Sequence, residues 1–278
     1  MILLSLFLQF FALFIGTLLA KRVLATSTTI YTFEDAYAQS KTLWVVSFFS
    51  ITMIVVNAIA FHYDAFFLIF PLLYQKYAMP LTWVVIVAYV AFISSFTLYI
   101  THKREAKKFK AYLSALLTLN ILILLNHYQK NFYDEAFLKE SNSTEPLVRQ
   151  SSGFSCTSAS VTTVARALNI TTTEKRVAQL SRLTTFGASS GQVRYALEKL
   201  GIKHHSLTGG FNDPNSIKAP AILYVDDPTV GFEGHAIVYF GKNSQGYAIW
   251  NPLGFDANLS EEELREIWHG KGVECSIP

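Results

Sequence analysis

Cys156 opens a stretch in which Val161, Val164, Ala165 and Leu168 recur at helical spacing, so a helix beginning near the cysteine is predicted. At a helix start the unpaired N–H groups and the positive end of the dipole favour the thiolate, the nucleophilic form of cysteine. A cysteine nucleophile needs a proton carrier and a group that orients the carrier. His235 opens a short β-prone run at 236–240, and Asn251 ends the next run at 247–250; Lys-Asn-Ser-Gln-Gly at 242–246 supplies the turn between them. Neighbouring strands of such a hairpin can set the two side chains face to face, and an imidazole-to-amide hydrogen bond is expected. Gln150 precedes Cys156 by six residues. Its side-chain amide and the Cys156 backbone N–H can donate to the oxyanion that develops during acyl transfer. Together these four residues suit attack of sulfur on a carbonyl carbon.

The same residues carry a resemblance. Gln150-Ser-Ser-Gly-Phe-Ser-Cys156 has the Q-x5-C spacing of the bacteriocin-processing, double-glycine-leader cysteine peptidases. Residues 191–201 resemble that family's second-helix segment ending in Lys-Leu-Gly, Gly234-His235 precedes a hydrophobic strand as its catalytic histidine does, and Trp268-His269-Gly270 is similar to its terminal Trp-x-Gly. Over residues 147–278 the resemblance implies a papain-like cysteine peptidase, with a triad of Cys156, His235 and Asn251, a Gln150 oxyanion donor, and no metal or organic cofactor. Ser155 and Thr157 stand where the family has Asp and Gly around its cysteine, and Asn251-Pro252 stands where it has Asp-Pro. Asparagine still fixes the histidine tautomer but brings no full charge to an imidazolium. The family is usually found in exporters that carry an ATPase. This chain has no G-x-x-x-x-G-K-[ST] motif, so no ATPase domain is expected in it.

These residues need a frame. Thr171 with Glu174 forms a capping-box pattern ahead of Val177 and Leu180, and Val193, Ala196, Leu197 and Leu200 repeat the helical stripe until Gly201. Short β-prone runs follow at 221–225, 236–240 and 247–250, and Ser260 with Glu263 caps a last helix through Leu264, Ile267 and Trp268. Helices followed by strands predict an α+β domain.

The rest of the chain is of another kind. It has 278 residues with 15% charged, and its mean hydropathy is positive. The apolar excess lies before residue 126. Residues 1–20, 43–61 and 81–100 carry no charge, and 112–125 extends to a fourth span if Lys110 and His127 lie at the interfaces. The expectation is a polytopic helical membrane domain at 1–128, a polar linker at 129–146 and the peptidase domain at 147–278. Residues 66–73, which include Pro71, are expected to form an interfacial or re-entrant piece. A cleavable signal peptide competes with the first span, but residues 1–20 lack a basic start. Lys21, Arg22 and Lys41 follow the first span and Lys103, Arg104, Lys107, Lys108 and Lys110 follow the third, against Lys76 alone between the second and third. Basic loops stay in the cytoplasm, so residues 147–278 are expected on the far side of a bacterial inner membrane, periplasmic or extracellular.

A net charge of +3 without a basic, aromatic-interleaved patch argues against nucleic acid as a partner. The partners expected are a peptide or protein substrate and membrane lipid. Two cysteines exclude a disulfide-rich scaffold and a four-cysteine zinc site. Cys275 is expected as a buried thiol, the competing reading being a disulfide with Cys156. His204 and His205 are adjacent and point to opposite sides, a poor metal pair. His62, His102 and His127 sit at span ends, Asp226 and Asp227 precede Pro228 in a turn, and Asp256 is the weaker rival of Asn251. Two other functions remain open: a peptide-binding membrane receptor or chaperone using the same cleft, and a transporter component. The transporter reading is weakened by the lack of charged residues at mid-depth in the spans.

Overall fold

The computed structural model describes residues 2–26, 33–62, 72–104, 106–131, 145–185, 187–209, 213–227 and 232–278. Contacts divide the chain into two compact units, Met1–His62 with Tyr77–Asn131 and Tyr63–Lys76 with Phe132–Pro278.

The first unit is helical: α1 Ile2–Thr26, α2 Phe33–Gln39, α3 Lys41–His62, α4 Leu72–Arg104 from Tyr77 onward, and α5 Ala106–Asn131. Phe10 and Phe14 on α1, Phe48 and Phe49 on α3, and Ile121 and Leu122 on α5 are exposed, while Ser47, Ser94, Ser95, Thr97 and Thr101 are buried. Small and polar groups contribute to the helix contacts. Tyr89 Oη donates to Ser47 Oγ at 3.0 Å and Asn120 Nδ2 donates to Ser94 Oγ at 2.9 Å. Gly16 lies so close to the Phe92 carbonyl and Ser95 Oγ that a Cβ would collide with both. Ala20, Leu43, Phe92, Phe96 and Ile100 form a buried apolar cluster among the helices, so apolar side chains lie both inside this unit and on its surface. Of the four expected spans, Phe7–Ala25 and Leu81–Lys103 are long and apolar enough to cross a membrane, whereas Lys41–Val56 and Leu113–Ile123 are shorter apolar stretches. In the expected interfacial piece, residues 66–71 lie outside the described residues and α4 begins at Leu72; of the linker, 132–144 lie outside them.

The second unit carries three helices, α6 Cys156–Ala167, α7 Glu174–Ser181 and α8 Ser190–Lys199, and then strands β1 Lys203–Thr208, β2 Ala221–Asp227, β3 Phe232–Asn243, β4 Gly246–Asn251 and β5 Phe255–Leu259. Helix α9, Glu261–Ile267, and strand β6, Trp268–Ser276, complete it. The six strands form one sheet in the order β1-β6-β2-β3-β4-β5, with antiparallel neighbours.

Side chains alternate across this sheet. Ile222, Ala236, Val238, Trp250 and Val273 face a core shared with Val161, Val164, Val177, Val193 and Leu197 of the three helices. Leu223, Val225, Ile237, Tyr239, Tyr247 and Ile249 face a second core closed by Leu264 of α9 and Trp268. Cover on both faces is why the central strands read as continuous apolar runs. Three strands escape that signal. β1 and β5 are edges with polar alternation, and β6 runs through the sheet as Trp-His-Gly-Lys-Gly-Val-Glu-Cys-Ser, where glycines and charges hide the pattern. The Ser260–Glu263 capping box forms as expected. The Thr171–Glu174 box does not: the cap of α7 is Thr173, which accepts from the Arg176 N–H, and Glu174 turns inward.

Candidate active site

Cys156 is the first residue of α6. The segment leading into it is fixed to the far end of β4 and to α6 itself. Trp250 Nε1 donates to the Val148 carbonyl at 3.1 Å, the Gln150 N–H donates to the Pro252 carbonyl at 2.8 Å, and the Val148 N–H donates to Thr163 Oγ1 at 3.0 Å. These bonds bring Gln150 and the helix start beside Asn251-Pro252. The Ser152 N–H donates to Ser155 Oγ at 3.1 Å and that hydroxyl donates to the Ser152 carbonyl at 3.1 Å, which closes the turn just before the cysteine.

His235 and Asn251 are 4% and 3% exposed and meet through His235 Nε2 and Asn251 Oδ1 at 2.8 Å. The register of β3 and β4 pairs Val238 with Trp250, so both residues lie at one end of the ladder. The Leu253 N–H also donates to Asn251 Oδ1, at 3.0 Å. A backbone N–H can only donate, so this atom is the amide oxygen and His235 must present Nε2–H to it. The lone pair of the neutral ring is then on Nδ1. Asp256 is exposed on the edge strand and Asn251 holds this place.

The thiolate expected at the helix start meets an opposing effect. The helix begins where the pattern places it, but Cys156 is only 9% exposed. Burial pushes its thiol above the ordinary value; the N–H groups of Ala236, Thr157 and Cys156 itself pull it down, and nearby Glu174 pushes it up. Loss of water outweighs the helix start. The substrate-free protein therefore holds Cys156 as the thiol, against the backbone N–H of the residue that follows His235.

Gln150 Nε2 donates to the Ser152 carbonyl at 3.0 Å, leaving its second N–H for another acceptor. Cys156 and Cys275 are both free thiols, and burial pushes Cys275 up to about 12. His204 and His205 lie on β1. Asp226 Oδ2 lies 3.2 Å from His269 Nε2 on an exposed part of the surface. The residue that sequence patterns missed is Glu174. Its capping-box spacing pointed to a local role, yet it is fully buried and accepts the Ser151 N–H at 3.1 Å in the turn before the cysteine.

Residues 144–276 match the Peptidase C39 family. No curated protein matches the chain. Among solved structures, the chain is similar to the peptidase domain of Streptococcus ComA, a bifunctional ABC transporter involved in quorum sensing, at 21% identity over 48% of this chain and 98% of that one, with a TM-score of 0.43. It is also similar to a double-glycine motif protease from an AMS/PCAT transporter in complex with the leader peptide, at 16% identity over 51% and 94% of the two chains, with a TM-score of 0.42. The peptidase domain of Streptococcus mutans ComA matches at 20% identity over 48% and 99%, with a TM-score of 0.38.

Proposed function

Since residues 144–276 are a Peptidase C39 domain, that of a cysteine peptidase, we propose that the chain is a membrane-anchored endopeptidase that cleaves a secreted or membrane-proximal peptide through Cys156, His235 and Asn251. The observation that carries this reading is the buried His235–Asn251 hydrogen bond beside a helix-start cysteine. With Nε2–H held by Asn251, His235 Nδ1 takes the proton of the Cys156 thiol as sulfur attacks the scissile carbonyl. A thiol raised by burial favours this proton transfer at the moment of attack over a standing ion pair. The tetrahedral oxyanion accepts from Gln150 Nε2–H and the Cys156 N–H. Collapse breaks the C–N bond, the Nδ1 proton passes to the leaving amine, and a thioester remains on Cys156. Water, deprotonated by Nδ1, then attacks the thioester and releases the acid and the thiol.

The substrate is a peptide or protein. The outward apolar faces of the first unit support anchoring in lipid, and the basic loops support a four-span topology with residues 1–128 in the membrane, 129–146 as linker and 147–278 outside the cytoplasm.

The test is single-turnover acylation of the purified full-length protein by a peptide thioester, with folding checked by circular dichroism. Cys156→Ser and His235→Ala should each abolish acylation, because no other group makes the bond or moves the proton. Asn251→Ala should only slow it, because an unoriented imidazole still samples the productive geometry. Asn251→Asp should be active, since a carboxylate accepts the same N–H. A His235→Ala variant that acylates like the parent would overturn the assignment in favour of a peptide-binding role.

A further inference from the structure

Glu174 opens α7, yet its side chain is withdrawn from solvent and spent on another segment. Its Oε1 accepts the Ser151 N–H at 3.1 Å, and the hydroxyls of Ser155 and Ser151 lie beside the carboxyl. Oε2 makes no hydrogen bond of good geometry, and neither do Ser151 Oγ or Gln150 Oε1. A buried carboxyl so placed is costly, and burial pushes Glu174 above the usual carboxylate range. It also works against the thiolate of Cys156. Packing alone would be served better by an apolar side chain at this point. What the carboxyl supplies is an acceptor at the one backbone N–H between Gln150 and the turn that opens α6.

The geometry points to Glu174 as the positioning residue of the oxyanion site: it holds Ser151, and through it the Gln150 amide, in register with the Cys156 N–H. This rests on the peptidase reading above. Gln150 is fixed on one side by its N–H to Pro252 and on the other by the Ser151 N–H to Glu174. The turn at 152–155 is closed by Ser152 and Ser155, and its Ser152 carbonyl accepts from the Gln150 amide, so these bonds stay within the segment itself. Removing the Glu174 acceptor leaves the peptide after Gln150 without an anchor to the helices. An oxyanion donor misplaced by about 1 Å can cost on the order of 10²-fold in rate.

Two conservative variants separate reach from charge. Glu174→Asp keeps the charge and withdraws the acceptor by one methylene; Glu174→Gln keeps the acceptor at full reach and removes the charge. In steady-state cleavage and single-turnover acylation, Glu174→Asp should lose at least about 10-fold in kcat with KM little changed, and Glu174→Gln should recover most of that rate. Gln150→Ala should lose about 10²-fold to 10³-fold. Combined with Gln150→Ala, Glu174→Asp should cost under about 3-fold more, because the donor it positions is already gone. The inference is overturned if Glu174→Asp acylates at the parental rate, if its loss persists undiminished in the Gln150→Ala background, or if Glu174→Gln loses as much. Cys156→Ala, run alongside, separates the two levels. A Cys156→Ala variant that still cleaves peptide refutes the peptidase site itself, whereas loss of cleavage upholds that site and lets the Glu174 variants decide the positioning role.

Discussion

The Cys156 sulfur sits where two effects oppose each other. The start of α6 and the Ala236 N–H favour negative charge on it, while burial and Glu174 disfavour it, and burial is the largest. The thiol is thereby raised above its ordinary value of 9.0. The folded protein keeps this proton where the unfolded chain has lost it. Its stabilising effect is therefore full below the unfolded value and is lost as pH rises from there through the folded one. Cys275, raised to about 12, adds a second loss in the same direction. Because alkylation needs the thiolate, iodoacetamide should modify Cys156 in the substrate-free protein at a rate still climbing above pH 9. Cys275, at 4% exposed, should react more slowly. Peptide mapping after timed alkylation measures both rates. A plateau for Cys156 from about pH 6 upward, below the ordinary thiol range, would mean a standing thiolate–imidazolium pair and refute the raised thiol.

Helices α1 and α4 meet at Gly16 and around the buried cluster of Ala20, Phe92 and Phe96. A side chain at position 16 would collide with the Phe92 carbonyl and the Ser95 hydroxyl, and Ser95 Oγ donates to the Phe92 carbonyl at 2.9 Å. Where lipid covers the outer face, helices associate through such close packing and a few hydrogen bonds. Gly16→Leu should therefore destabilise this unit by about 1–3 kcal/mol, the usual cost of overpacking. Phe14→Leu, on the exposed face of α1, should change little. Thermal unfolding of the full-length protein in detergent reads the difference. A Gly16→Leu variant that melts with the parent would mean that α1 and α4 do not pack at this notch.

At the scale of the whole chain, the proposed topology rests on the basic residues after the proposed first and third spans, because Lys and Arg near span ends are retained in the cytoplasm. Alkaline phosphatase fused after Pro278 should be active, and a cytoplasmic reporter fused there should be silent. The reverse pair of results would invert the topology. It would also bring the peptidase domain to the face where newly made peptides are found.

The sequence alone determined what rests on local pattern. The start of α6 at Cys156 and the stripe of α8 came from a period of 3.6, the β2–β4 runs from their apolar residues, and the Ser260 cap from side chains three residues apart. It also marked Cys156, His235, Asn251 and Gln150 by type and order. Tertiary structure decided what depends on distant partners. β6 is a central strand only because β1 and β2 flank it, and its glycines and charges give no strand signal by themselves. Glu174 followed a local capping rule in sequence, yet its acceptor is used by Ser151, 23 residues away in the chain. The protonation of Cys156 turned on burial, which a helix start cannot report, since loss of water is a property of everything packed around the sulfur.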